Sequence, residues 1–298
     1  MKTSKLLYVA GPTASGKTDL AIALAQHFNT EIVSCDSRQF YQEMHIGTAV
    51  PSDAELEQVP HHFIQHRSIE ADYSIGDFRR EALEKLKNLF QEHQTIIMVG
   101  GSGLYADAVM QGLDEFPETD PVIRPQLTAI YQQEGIEILQ DLLREHDLKH
   151  YHAVDKNNPH RLIRALEICL SSGKPYSSFL GKKTAPDFFN SQTIVIDWER
   201  DALYDRINQR VDRMVEQGLK AEAKGLYAQK TLNALQTVGY REWFAHFDGK
   251  WDEATAIEEI KKNSRRYAKR QSTWFRRYPE AIRVKGGESP SEIIRTLI

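Results

Sequence analysis

Residues 11–18, GPTASGKT, constrain this chain more than any other stretch. They spell G-x-x-x-x-G-K-T, a loop whose backbone amides cradle phosphates, and such a loop works only between a buried strand and a helix. The flanking sequence supplies both. LLYVA (6–10) is a continuous apolar run, as in a strand covered on two faces, and residues 17–27 place Leu20, Leu24 and Phe28 at helical spacing. EIVSCD (31–36) and TIIMVGG (95–101) read as further buried strands. YSIGDFRREALEKLKNLF between them carries a Phe78, Ala82, Leu86, Leu89/Phe90 stripe, with Ser74 and Asp77 placed to cap a helix. Strand–helix alternation implies an α/β doubly wound parallel sheet of the P-loop NTPase type. Ligands on such sheets bind at the carboxyl ends of the strands, where Gly11, Asp36 and Gly100–Gly101 all fall.

The texture changes after Pro117. From 118 to 190 the patterns are helical (DPVIRPQLTAIYQQ, GIEILQDLLREH, NPHRLIRALEICLSSG), and TIVIDW (193–198) resumes a strand. We therefore expect a core from 1–117 and 191–298 around a helical insertion, 118–190. The 298 residues allow one large domain or two modest ones. No apolar run approaches the roughly 20 residues that span a bilayer. The run in MKTSKLLYVAG is too short for a signal-peptide core and leads straight into the phosphate loop. Cys35 and Cys169 offer no zinc spacing, so a reduced, cytoplasmic setting is expected.

In the loop Gly11, Pro12, Thr13, Ala14, Ser15 and Gly16 wrap the anion, Lys17 reaches the distal phosphates, and Thr18 is the expected ligand of a Mg2+ ion. Asp36, ending the second strand, faces the loop and could take a proton from a nucleophile; alternatively it caps a turn. The third strand ends in Gly100, Gly101 and Ser102, not in a magnesium-holding acid. No N-K-x-D segment points to a guanine nucleotide. Arg206, Arg210 and Arg213 share one helix face and suit a diphosphate, or form a solvated face. Arg161 and Arg164 are a weaker pair of the same kind. Net charge is −4, yet residues 261–285 carry ten Lys/Arg and only Glu280, a local +9 that leaves −13 elsewhere. Along that helix, expected over 252–277, Lys262, Arg266 and Arg270 line one side and Lys261, Arg265 and Lys269 an adjacent one, interleaved with Tyr267, Trp274, Phe275 and Tyr278. Cations with flat rings and no acid from 261 to 279 favour an RNA surface over a solvated run.

Taken in order, DSRQFY (36–41), IGTA (46–49), PHH (60–62), DFRREA (77–82), VGGSGLY (99–105), NPHRLIRALE (158–167), VGYRE (238–242) and KRQSTWFR (269–276), with the loop, resemble the tRNA dimethylallyltransferase (tRNA isopentenyltransferase) family nearly end to end. The resemblance implies transfer of dimethylallyl from its diphosphate to the exocyclic amine of the adenine 3′ to the anticodon. It assigns catalysis to Asp36, Lys17, Ser102 and Arg210. It sets the anticodon stem-loop against Asp36, Ser37, Arg38, Gln39, Ser102 and Arg124; against His160, Arg161, Leu162, Ile163 and Arg164; against Gln236, Thr237, Val238, Gly239, Tyr240 and Arg241; and against Lys269, Arg270, Gln271, Ser272, Thr273, Trp274, Phe275 and Arg276. Ser102 stands where the family usually has threonine, so the hydroxyl survives without its methyl. We expect a monomer with no membrane partner. Two other readings stay open on the residues alone: a nucleoside or nucleotide kinase with Asp36 as base and Arg161/Arg164 as lid arginines, and a non-catalytic RNA-binding module whose loop senses nucleotide.

Overall fold

The computed structural model describes residues 4–297. Six strands, β1 (Lys5–Ala10), β2 (Ile32–Ser34), β3 (His61–His62), β4 (Thr95–Val99), β5 (Asn190–Asp197) and β6 (Ile282–Lys285), form one sheet in the order β3-β2-β4-β1-β5-β6. Every pairing is parallel. The doubly wound α/β expectation holds, and the period-2 rule explains why Leu6–Ala10 of β1 is apolar throughout. Leu6, Tyr8 and Ala10 pack into one layer with Phe78, Ala82 and Leu86 of the Ile75–Glu92 helix. Leu7 and Val9 pack into the other with Leu20 and Leu24 of the Lys17–Phe28 helix. Ser74 and Asp77 close a reciprocal capping box on Ile75–Glu92.

The chain divides into two compact units, Gln111–Ala185 and the segments that flank it. The division lies ahead of the changes in texture at 118 and 190. Phe116 stacks on Tyr176 of the insertion, and Phe189 stacks on Phe90 in the sheet unit, so each aromatic goes with its packing partner. The insertion is helical: Ile123–Glu134, Ile136–His146, Leu148–Ala153 and Pro159–Ser172 enclose Leu127, Leu139, Leu143, Leu162 and Leu166. Asn158 caps the last of these, its side chain accepting from the Arg161 amide, with Pro159 at the first helical position.

In the sheet unit, β1, β2 and β4 lie side by side, so their carboxyl ends bring Gly11, Asp36 and Gly100–Gly101 together at one edge. The Arg200–Glu216 and Glu253–Phe275 helices pack on each other above that edge and bury Leu203, Ile207 and Ala268.

Candidate active site

The 11–18 loop follows β1 and runs into the Lys17–Phe28 helix, whose first turn adds its amide dipoles to the cradle. Ala14 holds a left-handed φ of 64°, a conformation that costs a non-glycine residue on the order of 1 kcal/mol. Side chains from elsewhere fix it from behind. The Arg206 guanidinium donates to the Ala14 carbonyl at 2.8 Å and Trp198 Nε1 to the Ser15 carbonyl at 3.0 Å. Arg206 also lies over the Trp198 ring, 4.6 Å from its centre. Of the three-arginine stripe, all border the groove beside the loop, and Arg210 alone also lines the crevice that holds Asp36. Burial lowers the Arg210 pKa, with Asp36 opposing and Arg213 reinforcing, but an arginine stays charged. Lys17 Nζ donates to the Pro12 carbonyl at 2.7 Å. Burial brings its pKa down to about 8, with Asp36 opposing and Arg210 adding to the fall.

Asp36 owes its place to glycine. A Cβ on Gly100 would meet the Asp36 amide nitrogen at 2.8 Å and the Cys35 sulfur at 2.6 Å, so only a bare backbone lets the end of β2 come this close to β4. Asp36 Oδ1 accepts from the Arg38 amide at 3.2 Å, an Asx turn, while the residue lines the crevice with Lys17, Thr18 and Arg210. Turn cap and candidate base are thus compatible, one oxygen for each. The Ser102 hydroxyl accepts from the Ser37 amide at 3.1 Å and lies 3.1 Å from Ser37 Oγ, so its support reaches Asp36 through the neighbouring residue. Arg38 turns away, donating to the Asn233 and Ala234 carbonyls at 3.1 and 3.0 Å.

Four contributors were given no role at this site by the sequence reading. Tyr267 lines the crevice, where burial and then the Asp36 charge push its phenol up to about 12, against a hydrogen bond with Ser102. His61 of β3 also lines it. Its Nδ1 lies 2.8 Å from the Val59 carbonyl, which can only accept, so the proton is assigned to Nδ1 and Nε2 is left as a bare acceptor. Burial lowers the His61 pKa. Glu222 accepts from the amides of His45, Ile46 and Gly47 at 3.1, 2.7 and 2.9 Å and from the Tyr240 hydroxyl at 2.6 Å. That carboxylate shapes the IGTA loop, which forms one wall of the crevice. Trp198 is the fourth. Away from the charged end the lining turns apolar with Val211, Met214, Leu219, Val238 and Ile260.

Residues 39–278 match the family model described as IPP transferase. The chain belongs to this family. A tRNA dimethylallyltransferase of Christiangramia forsetii is 56% identical over 275 residues, covering 92% of this chain and 91% of that protein. Another, from Flavobacterium psychrophilum, is 51% identical over 298 residues, covering 98% and 97%. The crystal structure of the full-length tRNA isopentenylpyrophosphate transferase from Bacillus halodurans is 37% identical with a TM-score of 0.73, covering 98% of this chain and 94% of that one.

The positions that the family resemblance sets against RNA divide by burial. Leu162, Ile163, Tyr240, Gln271 and Phe275 are buried, so their side chains are engaged inside the protein here. Arg124 grips the buried Glu167 with two bonds, at 3.0 and 2.7 Å, and Arg164 adds a third at 2.9 Å. Those carboxylate bonds hold Glu167 below its usual pKa against its own burial. Trp274 packs on Gly103 beneath the Arg277 guanidinium. His160, Arg161, Gln236, Arg241, Lys269, Arg270, Thr273 and Arg276 are exposed; Ser37, Gln39, Thr237, Val238 and Ser272 are half-buried. The basic helix is less unbalanced than its sequence suggests. Lys261 pairs with Asp212 and Glu258, and Lys262 with Glu259, acids one turn back or on the neighbouring helix. Arg265 bonds Asn208 at 2.6 Å. Arg283 and Lys285 belong to β6, not to the helix. Among the described residues, Lys269, Arg270 and Arg276 have no acidic partner at ion-pair distance.

Proposed function

We propose that the chain carries out the reaction its family is named for: transfer of dimethylallyl from dimethylallyl diphosphate to the exocyclic amine of the adenine 3′-adjacent to the anticodon, releasing diphosphate. One observation carries this. Thr13, Lys17 and Thr18 of the phosphate loop, the Asp36 carboxylate and an apolar wall share a single crevice, which suits a donor with an anionic end and a hydrocarbon end. The adenine amine attacks the first carbon of the allyl group, and the carbon–oxygen bond to the diphosphate breaks with its electron pair leaving on oxygen. Loop amides, Lys17 and Arg210 stabilise that growing charge. Asp36 takes the amine's proton. The base must leave its stack to reach the crevice.

Thr18 and Asp36 both line the crevice, and among the described residues no three His, Cys, Asp or Glu gather into a metal cluster. One or two hard oxygens completed by diphosphate and water suit magnesium, with Thr18 as a holder. The ion would neutralise charge on the leaving group. For the tRNA, exposed Lys269, Arg270, Arg276, Arg241, His160 and Arg161 are the groups we assign to phosphates. The reaction needs no second chain for these residues and no membrane, and no helix among the described residues is long and apolar enough to cross one. A monomer in the cytoplasm is our reading. The test is mass spectrometry of tRNA after incubation with the protein, magnesium and dimethylallyl diphosphate. A gain of one C5H8 unit at that adenine is expected, and unmodified tRNA overturns the reading.

A further inference from the structure

Thr13, at the front of the phosphate loop, does not turn its amide toward an anion. That amide donates to Gln271 Oε1 at 2.8 Å. The other end of the same side chain donates, from Nε2, to the Gly101 carbonyl at 2.9 Å. Gln271 is 6% exposed, the bond to Gly101 is buried and that to Thr13 is partly so. A methyl group on Gly101 would stand 2.2 Å from Nε2, so that glycine leaves room for the amide. The chain of contacts continues. The next residue, Ser102, holds Ser37 through its hydroxyl at 3.1 Å, and Ser37 follows Asp36. The Glu253–Phe275 helix meanwhile keeps Lys269 and Arg270, the residues just before Gln271, exposed.

We propose that Gln271 is a positioning residue, a clamp that fixes the leaving-group loop to the carboxyl end of β4 and so sets the distance between the diphosphate and Asp36. It holds its two partners as a primary amide must, one acceptor and one donor in a fixed plane. Trp198 and Arg206 fix the loop's own conformation from behind, but neither reaches the Asp36 side. Displacements of about 1 Å between reacting groups cost on the order of a hundredfold in rate. Gln271 therefore governs chemistry and donor binding, and RNA affinity only through the exposed residues beside it. This inference rests on the reaction assigned above.

Gln271→Met keeps the length and removes both bonds. Gln271→Glu keeps the acceptor for Thr13 and sets an oxygen against the Gly101 carbonyl. Gly101→Ala pushes the clamp aside from the other end. Circular dichroism and melting temperature establish which variants fold, and the three approach the clamp independently. Turnover at saturating tRNA should fall roughly 10–100-fold in each, with filter-binding affinity for tRNA within about twofold of the parent. Adding Gly101→Ala to Gln271→Met should cost little more, because the two act on one contact. Affinity for inorganic diphosphate, read by calorimetry without RNA, should weaken as well. That last readout needs no transfer reaction, so it judges the clamp even if the prenyl reading fails. Unchanged diphosphate affinity and turnover overturn the proposal, as does loss confined to tRNA affinity, which would make Gln271 an RNA contact.

Discussion

Two residues at the crevice give opposite tests of the site. Asp36 has one oxygen in an Asx turn, and Asn supplies the same acceptor. Asp36→Asn should therefore fold and bind both substrates while losing about 10²–10⁴-fold in single-turnover rate, since an amide cannot take the proton. Activity near the parent's would reduce Asp36 to its turn. Lys17 tests charge. Its pKa of about 8 means that the free protein loses this cation as pH rises through that value. The charged form binds the diphosphate, so kcat/KM for the donor should be flat below about pH 8 and fall above it. A bound anion favours the ammonium, so kcat should hold to higher pH. A donor profile flat to pH 9.5 would mean that Lys17 does not meet the diphosphate. These roles were legible in the sequence because the loop pattern and an acid at a strand end are local. His61 and Glu222 were not, since their roles come from strand pairing and from the three amides of His45, Ile46 and Gly47, more than a hundred residues from Glu222 in the chain.

At the scale of elements, the basic helix shows where sequence reading ran out. The run from 261 to 279 holds no acid, yet Lys261 and Lys262 are satisfied from Asp212, Glu258 and Glu259, which lie outside that window. Intramolecular pairs release no counterions on RNA binding. The salt dependence should therefore come from unpaired cations such as Lys269, Arg270 and Arg276, not from Lys261 and Lys262. Replacing those three by Gln should flatten the log–log slope of tRNA affinity by about two, at roughly 0.7 per single-stranded contact. Lys262→Gln should leave the slope in place. A salt series of binding isotherms for both variants decides, and the reverse pattern would move the RNA surface up the helix. The strands tell a similar story. β1, β2, β4 and β5 were legible as apolar runs, whereas β3 has two residues and β6 alternates Ile282 and Val284 with Arg283 and Lys285 at the sheet's edge. A strand that short, or that charged, is specified by its neighbour; Arg283, for one, pairs with Asp197 of β5.

The whole molecule is a sheet unit interrupted by a unit with a core of its own. Within the insertion, the incoming and outgoing segments are held to each other: Asp114 Oδ1 accepts from the Lys182 amide at 2.7 Å, Phe116 stacks on Tyr176 at 4.9 Å, and Gly112 lies against the Thr184 backbone. A chain that leaves and returns at nearly one place can be closed by a short loop at little entropic cost, since loop closure grows only logarithmically with length. The loop, Asp36, Arg210 and Gln271 all belong to the sheet unit, as do its layers of core. Replacing 113–183 by a short Gly-Ser linker should therefore leave a folded protein that binds inorganic diphosphate with near-parental affinity, read by calorimetry, and that loses this binding on Lys17→Ala. What it should lose is tRNA. His160 and Arg161 go with the insertion, and each phosphate contact removed lowers affinity and the salt slope together. We expect KM for tRNA to rise at least about tenfold while diphosphate binding holds. If the shortened protein handles tRNA as the parent does, the insertion has no part in RNA recognition; if it folds but cannot bind diphosphate, the crevice depends on the insertion and the two units do not divide the work.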